Sequence, residues 1–177
     1  METAEILKLI KQAGKLKRLK RTGWQQVGVP NPESVADHTC RVAFISMILA
    51  PRLGLDALKL IQMSLVHDLA ESIVGDITPH CGISVGKKRR MEEKAFRSLI
   101  DNFPNGRSLL DLWIEYEDQK SPEARALKNI DKLEMAIQAE EYRAQFPQKD
   151  LDPFITHSAS CIDHPEIRKL FEELIRK

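Results

Sequence analysis

The stretch DALKLIQMSLVHDLAESIVGD, Asp56 to Asp76, decides what kind of fold this chain has. Leu60, Met63, His67, Ala70 and Val74 recur at steps of three and four, the period of one face of an α-helix. Gly75, the residue favoured just past a helix terminus, closes the run. The spacing therefore predicts one helix over Asp56 to Val74, with a histidine on its inward stripe.

The same period extends in both directions along the chain. Ile6, Ile10, Ala13 and Leu16 give a first helix an apolar stripe between lysines, ending near RTGW, where Gly23 breaks the pattern. VGVPNPES is a loop, and Asn31 with Pro32 makes an N-cap and first-turn pair for a second helix from Pro32 to about Pro51. After the Asp56 helix, KKRRMEEKAFRSLI forms a fourth and Ser108 to Asp118 a fifth. Ser121 and Pro122 start a sixth that runs to Pro147, and HPEIRKLFEELIRK is the last. Convincing strand alternation, internal repeats and flexible linkers are missing. The expected fold is all-α, a single compact domain over residues 1–177 with about seven helices, long enough to bury a core without disulfide or metal staples.

Composition narrows the function. The 27 basic and 26 acidic residues nearly cancel, so no global field favours nucleic acid or an anionic membrane. The run Lys87 to Arg90 is followed at once by MEEKAF and reads as the start of a solvated, ion-paired helix. Cys40, Cys81 and Cys161 are odd in number and widely spaced, which points to a reducing, cytoplasmic setting. No stretch approaches the roughly 18 apolar residues of a membrane span. The basic N-terminal segment carries Glu2 and Glu5 in front and reads as a helix of the domain. His80, His157 and His164 stand in loop-like contexts, His164 beside Pro165 at a helix start, and are assigned no chemistry.

Two histidines and an aspartate face inward. His38 lies on the stripe of Val35, Val42, Ile45 and Leu49; His67 lies between Met63 and Ala70; Asp131 lies four residues after Leu127 and four before Met135. Asp68 is about 100° round from His67, and Glu71 is one turn beyond both. Any one inward histidine is more often a hydrogen-bonded core residue, and any one inward aspartate a cap or an arginine partner. Together they pose an electrostatic problem, because buried carboxylates desolvate and repel one another. Two neutral imidazoles and two carboxylates around a divalent ion sum to zero charge. That donor set suits Mn, Fe, Co or Zn better than the oxygen shells of Mg or Ca.

A histidine, an HD pair on a later helix and a distant helical aspartate, together with LKRTGW, NPESVADHT, LVHDLAESIVGDI, NIDKLEMAIQA and the C-terminal HPEI, resemble the HD-domain metal-dependent phosphohydrolases, in particular the 5′-deoxynucleotidase group. The resemblance covers nearly the whole chain. It implies a helical phosphatase, usually a homodimer, that hydrolyses 2′-deoxyribonucleoside 5′-monophosphates to deoxynucleoside and phosphate. It makes His38, His67, Asp68 and Asp131 the primary metal ligands. Glu71, Asp76 and the backbone carbonyl of Ile77 match positions associated with a second metal, such as Mg, or with substrate and its attacking water. Arg21 and Trp24 match an arginine that orients the phosphate and a tryptophan that shapes the nucleotide pocket.

A phosphate monoester dianion repels hydroxide, so a catalyst must supply positive charge and a positioned water. Glu71 is the favoured base or water-orienter, and Asp76 a second-metal ligand or proton donor to the departing sugar oxygen. Arg21 offers a planar fork to two phosphoryl oxygens. Trp24 would stack on or wall off base and deoxyribose. Two alternatives remain: the same site acting on a cyclic nucleotide, a nucleoside triphosphate or another small ester, and a nucleotide-sensing module with a structural metal.

Overall fold

The structure, a computed structural model, describes residues 2–78, 81–104 and 106–176. The chain forms α1 (Glu2–Ala13), a 3-10 turn (Gly14–Lys17), α2 (Thr22–Gln26), α3 (Val35–Leu53), α4 (Ala57–Val66), α5 (Glu71–Val74), α6 (Val85–Ile100), α7 (Gly106–Glu117), α8 (Pro122–Gln145), α9 (Asp152–Cys161) and α10 (Pro165–Ile175). Among the described residues extended pairing is limited to an isolated bridge between Lys20 and Ser34. The all-α expectation holds.

Local chemistry sets the helix ends. Ser34 caps α3 in a reciprocal box with Asp37, and Gly54, in the left-handed region at φ 68°, closes it. The side chain of Asp56 accepts from the Lys59 N–H at the start of α4, and that of Ser121 from the Ala124 N–H ahead of Pro122 in α8. His164 Nδ1 likewise accepts from the Glu166 N–H, so the expected helix start there is observed.

Helices α3, α4 and α8 form the centre. Val42 and Leu49, Leu60 and Met63, and Leu127, Ile130 and Leu133 pack there, with Ile167 and Phe171 of α10 closing one side. A second cluster, built on Val35, Val66, Phe96 and Trp113, seats α6 and α7. A third joins Trp24 and Val29 to Tyr142 and Leu151. The buried polar residues His38, Asp131 and Glu134 lie on α3 and α8 among these clusters, and His67 follows the last residue of α4.

Several expected boundaries are corrected. The first helix stops at Ala13 rather than near Gly23, and Gly23 lies inside α2. Ile10 is 60% exposed and Leu9 makes the inward contact in its place, while Ala13 and Leu16 face inward as expected. Asn31 sits in the loop at φ 46° and the cap of α3 is Ser34, three residues on. His157, expected in a loop, lies in α9, a helix the periodicity missed. His80 lies outside the described residues. The largest correction falls in the deciding stretch itself, where the helix runs only to Val66, turns through His67 to Ala70 and resumes as α5.

Candidate metal and phosphate site

The break after Val66 has a physical cause. The last carbonyls of a helix have no partner within it. Here the Ser64 carbonyl accepts from His67 Nδ1 at 2.6 Å, and the His67 carbonyl accepts from Trp113 Nε1 at 3.2 Å. Side chains have taken carbonyls that would otherwise serve the next turn, and Leu69, Glu71, Ser72 and Ile73 bond three residues back instead.

This arrangement fixes the His67 tautomer. A carbonyl can only accept, so Nδ1 carries the hydrogen and Nε2 presents a lone pair. His38 is fixed in the same sense, because its Nδ1 lies 2.5 Å from the carboxylate of Glu134. Glu134 is held well into the ionised range: burial opposes its charge, but His38 and Arg41 outweigh it. Both Nε2 atoms therefore point their lone pairs at oxygens. His67 Nε2 is 3.2 Å from Asp68 Oδ2, and His38 Nε2 is 3.2 Å from Asp131 Oδ1 and 3.7 Å from Asp68 Oδ2.

Lone pairs facing carboxylate oxygens in a buried space call for positive charge between them, a proton on the ring or a metal ion in its place. Burial and Arg21 push the His38 pKa down, yet Glu134 and Asp131 carry it up to about 9, the signature of a site that attracts positive charge. Asp68 and Asp131 are both held low: burial works against their charge, but His67, His38 and Arg21 prevail at Asp68, and Lys132 and the same two histidines prevail at Asp131. His38, His67 and Asp68 can each aim a ligand atom within 4.8 Å of the others. His38 Nε2, His67 Nε2, Asp68 Oδ2 and Glu71 Oε2 are buried without a hydrogen-bond partner. These orphaned atoms fit a divalent ion held by two imidazoles and carboxylates.

With that geometry in view, the pattern of the HD domain matches residues 13–171. The chain belongs to the HD-domain family. It is 41% identical to 5′-deoxynucleotidase HDDC2 of Dictyostelium discoideum over 97% of both chains, and 40% identical to 5′-deoxynucleotidase HDDC2 of Homo sapiens over 96% of this chain and 84% of that one. Among solved structures it is similar to a conserved hypothetical protein from Pyrococcus furiosus, with a TM-score of 0.83 and 35% identity over 97% of this chain and 99% of that one.

Around the HD histidines and aspartates the structure places the remaining expected residues. Glu71, first residue of α5, is buried; burial raises its pKa well above the carboxylate range, and Asp68 and Asp76 raise it further. Arg21 reaches in from the segment before α2, with Nη1 3.7 Å from Asp68 Oδ2. Its burial opposes charge, but the surrounding carboxylates keep it charged. Asp76 Oδ2 accepts from the Thr22 N–H at 2.6 Å and its carbonyl accepts from the Thr22 hydroxyl at 2.8 Å, tying the loop after α5 to the start of α2. Ile77 is buried next to it. Trp24 is only 2% exposed; it packs on Tyr142 and Phe154 and donates from Nε1 to Glu33.

Sequence reasoning missed two residues. Lys88, in the run read as a solvated face, lies 4.0 Å from Glu71 and 3.5 Å from Glu92. Its i,i+4 pairing with Glu92 was visible, but not that α6 packs against α5. Glu134 was missed although it follows Asp131 by three residues, the spacing that places two side chains on one helix face. An open cleft of about 360 Å³, lined by Lys15, Arg18 and Gly75 among others, leads to Glu71 from outside.

Proposed function

We propose that this HD-domain protein is a 5′-deoxynucleotidase, a phosphoric monoester hydrolase that converts 2′-deoxyribonucleoside 5′-monophosphates to deoxynucleoside and phosphate. The observation that carries the reading is the pair of fixed imidazole Nε2 lone pairs turned onto Asp68 and Asp131. His38, His67, Asp68 and Asp131 would hold the ion, with Mn, Co, Zn or Fe matching the mixed nitrogen and oxygen donors. When bound, the ion supplies positive charge to the phosphoryl oxygens and acidifies the attacking water.

Arg21 grips the phosphate as a permanent, directional cation. Glu71, ionised when the charge of a bound ion offsets its burial, takes the proton of the attacking water as the P–O5′ bond breaks, and that proton passes to the departing O5′. Glu71, Asp76 and the Ile77 carbonyl would be the ligands of a second ion such as Mg, and Asp76 also holds α2, and with it Arg21, against the site. Trp24 acts as a wall behind that segment, since its ring is buried against Tyr142 and Phe154. Lys15 and Arg18 at the outer cleft suit an anionic substrate. The relatives named as 5′-deoxynucleotidases support this substrate class over other small esters.

Among the described residues no helix is long and apolar enough to cross a membrane, and the cytoplasm is the proposed location. A second copy of the chain is proposed to cover the outer side of α3, where Phe44, Met47 and Ile48 are each about half exposed. The test of function is phosphate release from deoxy- and ribonucleoside monophosphates after chelation and re-addition of Mn, Co, Zn or Mg. Turnover should favour deoxynucleotides, vanish on chelation, and be lost in His67→Ala and Glu71→Ala. Turnover that survives chelation would refute the metal mechanism, and equal rates on ribonucleotides would refute the substrate assignment.

A further inference from the structure

One face of α8 carries Asp131, Glu134, Gln138 and Glu141 at steps of three and four, and one face of α3 carries His38 and Arg41 three residues apart. The two faces meet as a continuous polar chain. His38 turns Nε2 toward Asp131 and Nδ1 toward Glu134 Oε2. Glu134 Oε1 accepts from Arg41 Nε at 2.8 Å, and Arg41 continues to Gln138 Oε1 at 2.5 Å and to both oxygens of Glu141 at 2.9 and 2.7 Å. Glu134 is fully buried, and so is His38.

A carboxylate placed in such a position is costly to desolvate, and a carbonyl would have sufficed to orient the ring, as Ser64 does for His67. A carboxylate adds something that a carbonyl does not, because its charge makes the opposite nitrogen a stronger donor. We propose that Glu134 is the positioning residue of the metal site: it locks His38 with hydrogen on Nδ1 and strengthens Nε2 as a ligand, while Arg41 holds Glu134 in place. The two histidines are thus unequal ligands, one backed by a carboxylate and one by a backbone carbonyl. Glu33, which together with His38 and Glu134 could also surround an ion, is committed elsewhere, since its Oε1 accepts from Trp24 Nε1. His38 Nδ1 cannot serve an ion there while it donates to Glu134.

This inference rests on His38 being a metal ligand. The test is Mn and Co affinity of the full chain by equilibrium dialysis and calorimetry, for wild type, Glu134→Gln, Glu134→Asp, Arg41→Met and, as a control, Glu93→Gln in the exposed pair with Arg97. Imidazole ¹⁵N shifts of the metal-free wild type are read alongside at about pH 10, where the His38 ring is neutral and its tautomer can be told. Glu134→Gln should lower affinity by about 10- to 100-fold, the usual effect of losing a carboxylate behind a histidine ligand. Glu134→Asp should recover part of it, Arg41→Met should lose less, and Glu93→Gln should match wild type. Wild type should show the Nδ1–H form of His38. Wild type failing to bind metal would overturn the metal reading itself. Wild type binding while Glu134→Gln binds equally well, or a wild-type His38 with hydrogen on Nε2, would overturn the role of Glu134 alone. A fall from two ions to one on Glu134→Gln, with the remaining affinity unchanged, would also overturn it, by making Glu134 a ligand.

Discussion

Glu92 offers a test of the electrostatics that is independent of any metal. It lies on α6, 7% exposed, with Lys88 as its ion-pair partner at 3.5 Å. Burial pushes its pKa up from 4.5, Lys88 pulls it back, and Glu117 and Asp68 add to the rise, so that it stands at about 7. Between these two values the folded protein holds a proton that the unfolded chain has released. Unfolding then liberates a proton, and stability falls as pH rises through this window. Below it both states are protonated, and above it both are ionised, so the slope from this group is confined to the interval from 4.5 to about 7. At roughly 1.4 kcal/mol per pH unit the loss amounts to about 3 kcal/mol. Glu92→Gln has no proton to lose. Urea unfolding of wild type and Glu92→Gln, both in chelator, at intervals from pH 4.5 to 8 should show the variant gaining about 3 kcal/mol on wild type across the range. The offset between the curves at any single pH is immaterial, because Lys88 and packing contribute to it. Parallel curves would refute the reasoning, since they would mean that Glu92 titrates alike in both states.

Two further substitutions probe the site. Arg21→Lys keeps the charge beside Asp68 but removes the planar fork, and kcat/KM for deoxynucleotides should fall by about tenfold or more at unchanged metal content; a matching fall in metal content would mean that Arg21 acts on the ion site rather than on the phosphate. Gly75 sits at φ 82° and ψ 167° with open space where a Cβ would project, so Gly75→Ala meets strain without a clash and should cost about 2 kcal/mol by chemical denaturation. Unchanged stability would show that the Asp76 loop relaxes freely.

How much of this could be read from the sequence depends on which force placed each residue. His38, His67 and Asp131 stand on apolar stripes of helices long enough for the period to be counted, and the structure buries all three. Helix starts at Ser121 and His164 were legible because capping is local. Arg21 was legible only through the resemblance of LKRTGW to the family, since the segment between Lys17 and Thr22 has no helical period from which to infer a face. The segment of α9 buries little besides Ser158, so no stripe marked it. Trp24 could be foreseen as core or wall, but not its clasp by Tyr142 and Phe154, which come from more than 100 residues away.

The helix break at His67 was illegible for the deeper reason that its causes compete with the helix itself. In an unbroken helix the Ser64 carbonyl would belong to the backbone N–H four residues on, and the His67 ring would have to find another acceptor or leave its tautomer open. Giving that carbonyl to Nδ1 ends α4 one residue before the ligand, and Trp113, 46 residues distant, takes the carbonyl of His67 itself and keeps the ladder from resuming. The chain thus gives up a turn of regular helix and gains an imidazole whose donor atom is fixed in advance. Glu134 does for His38, across two helices, what this local break does for His67.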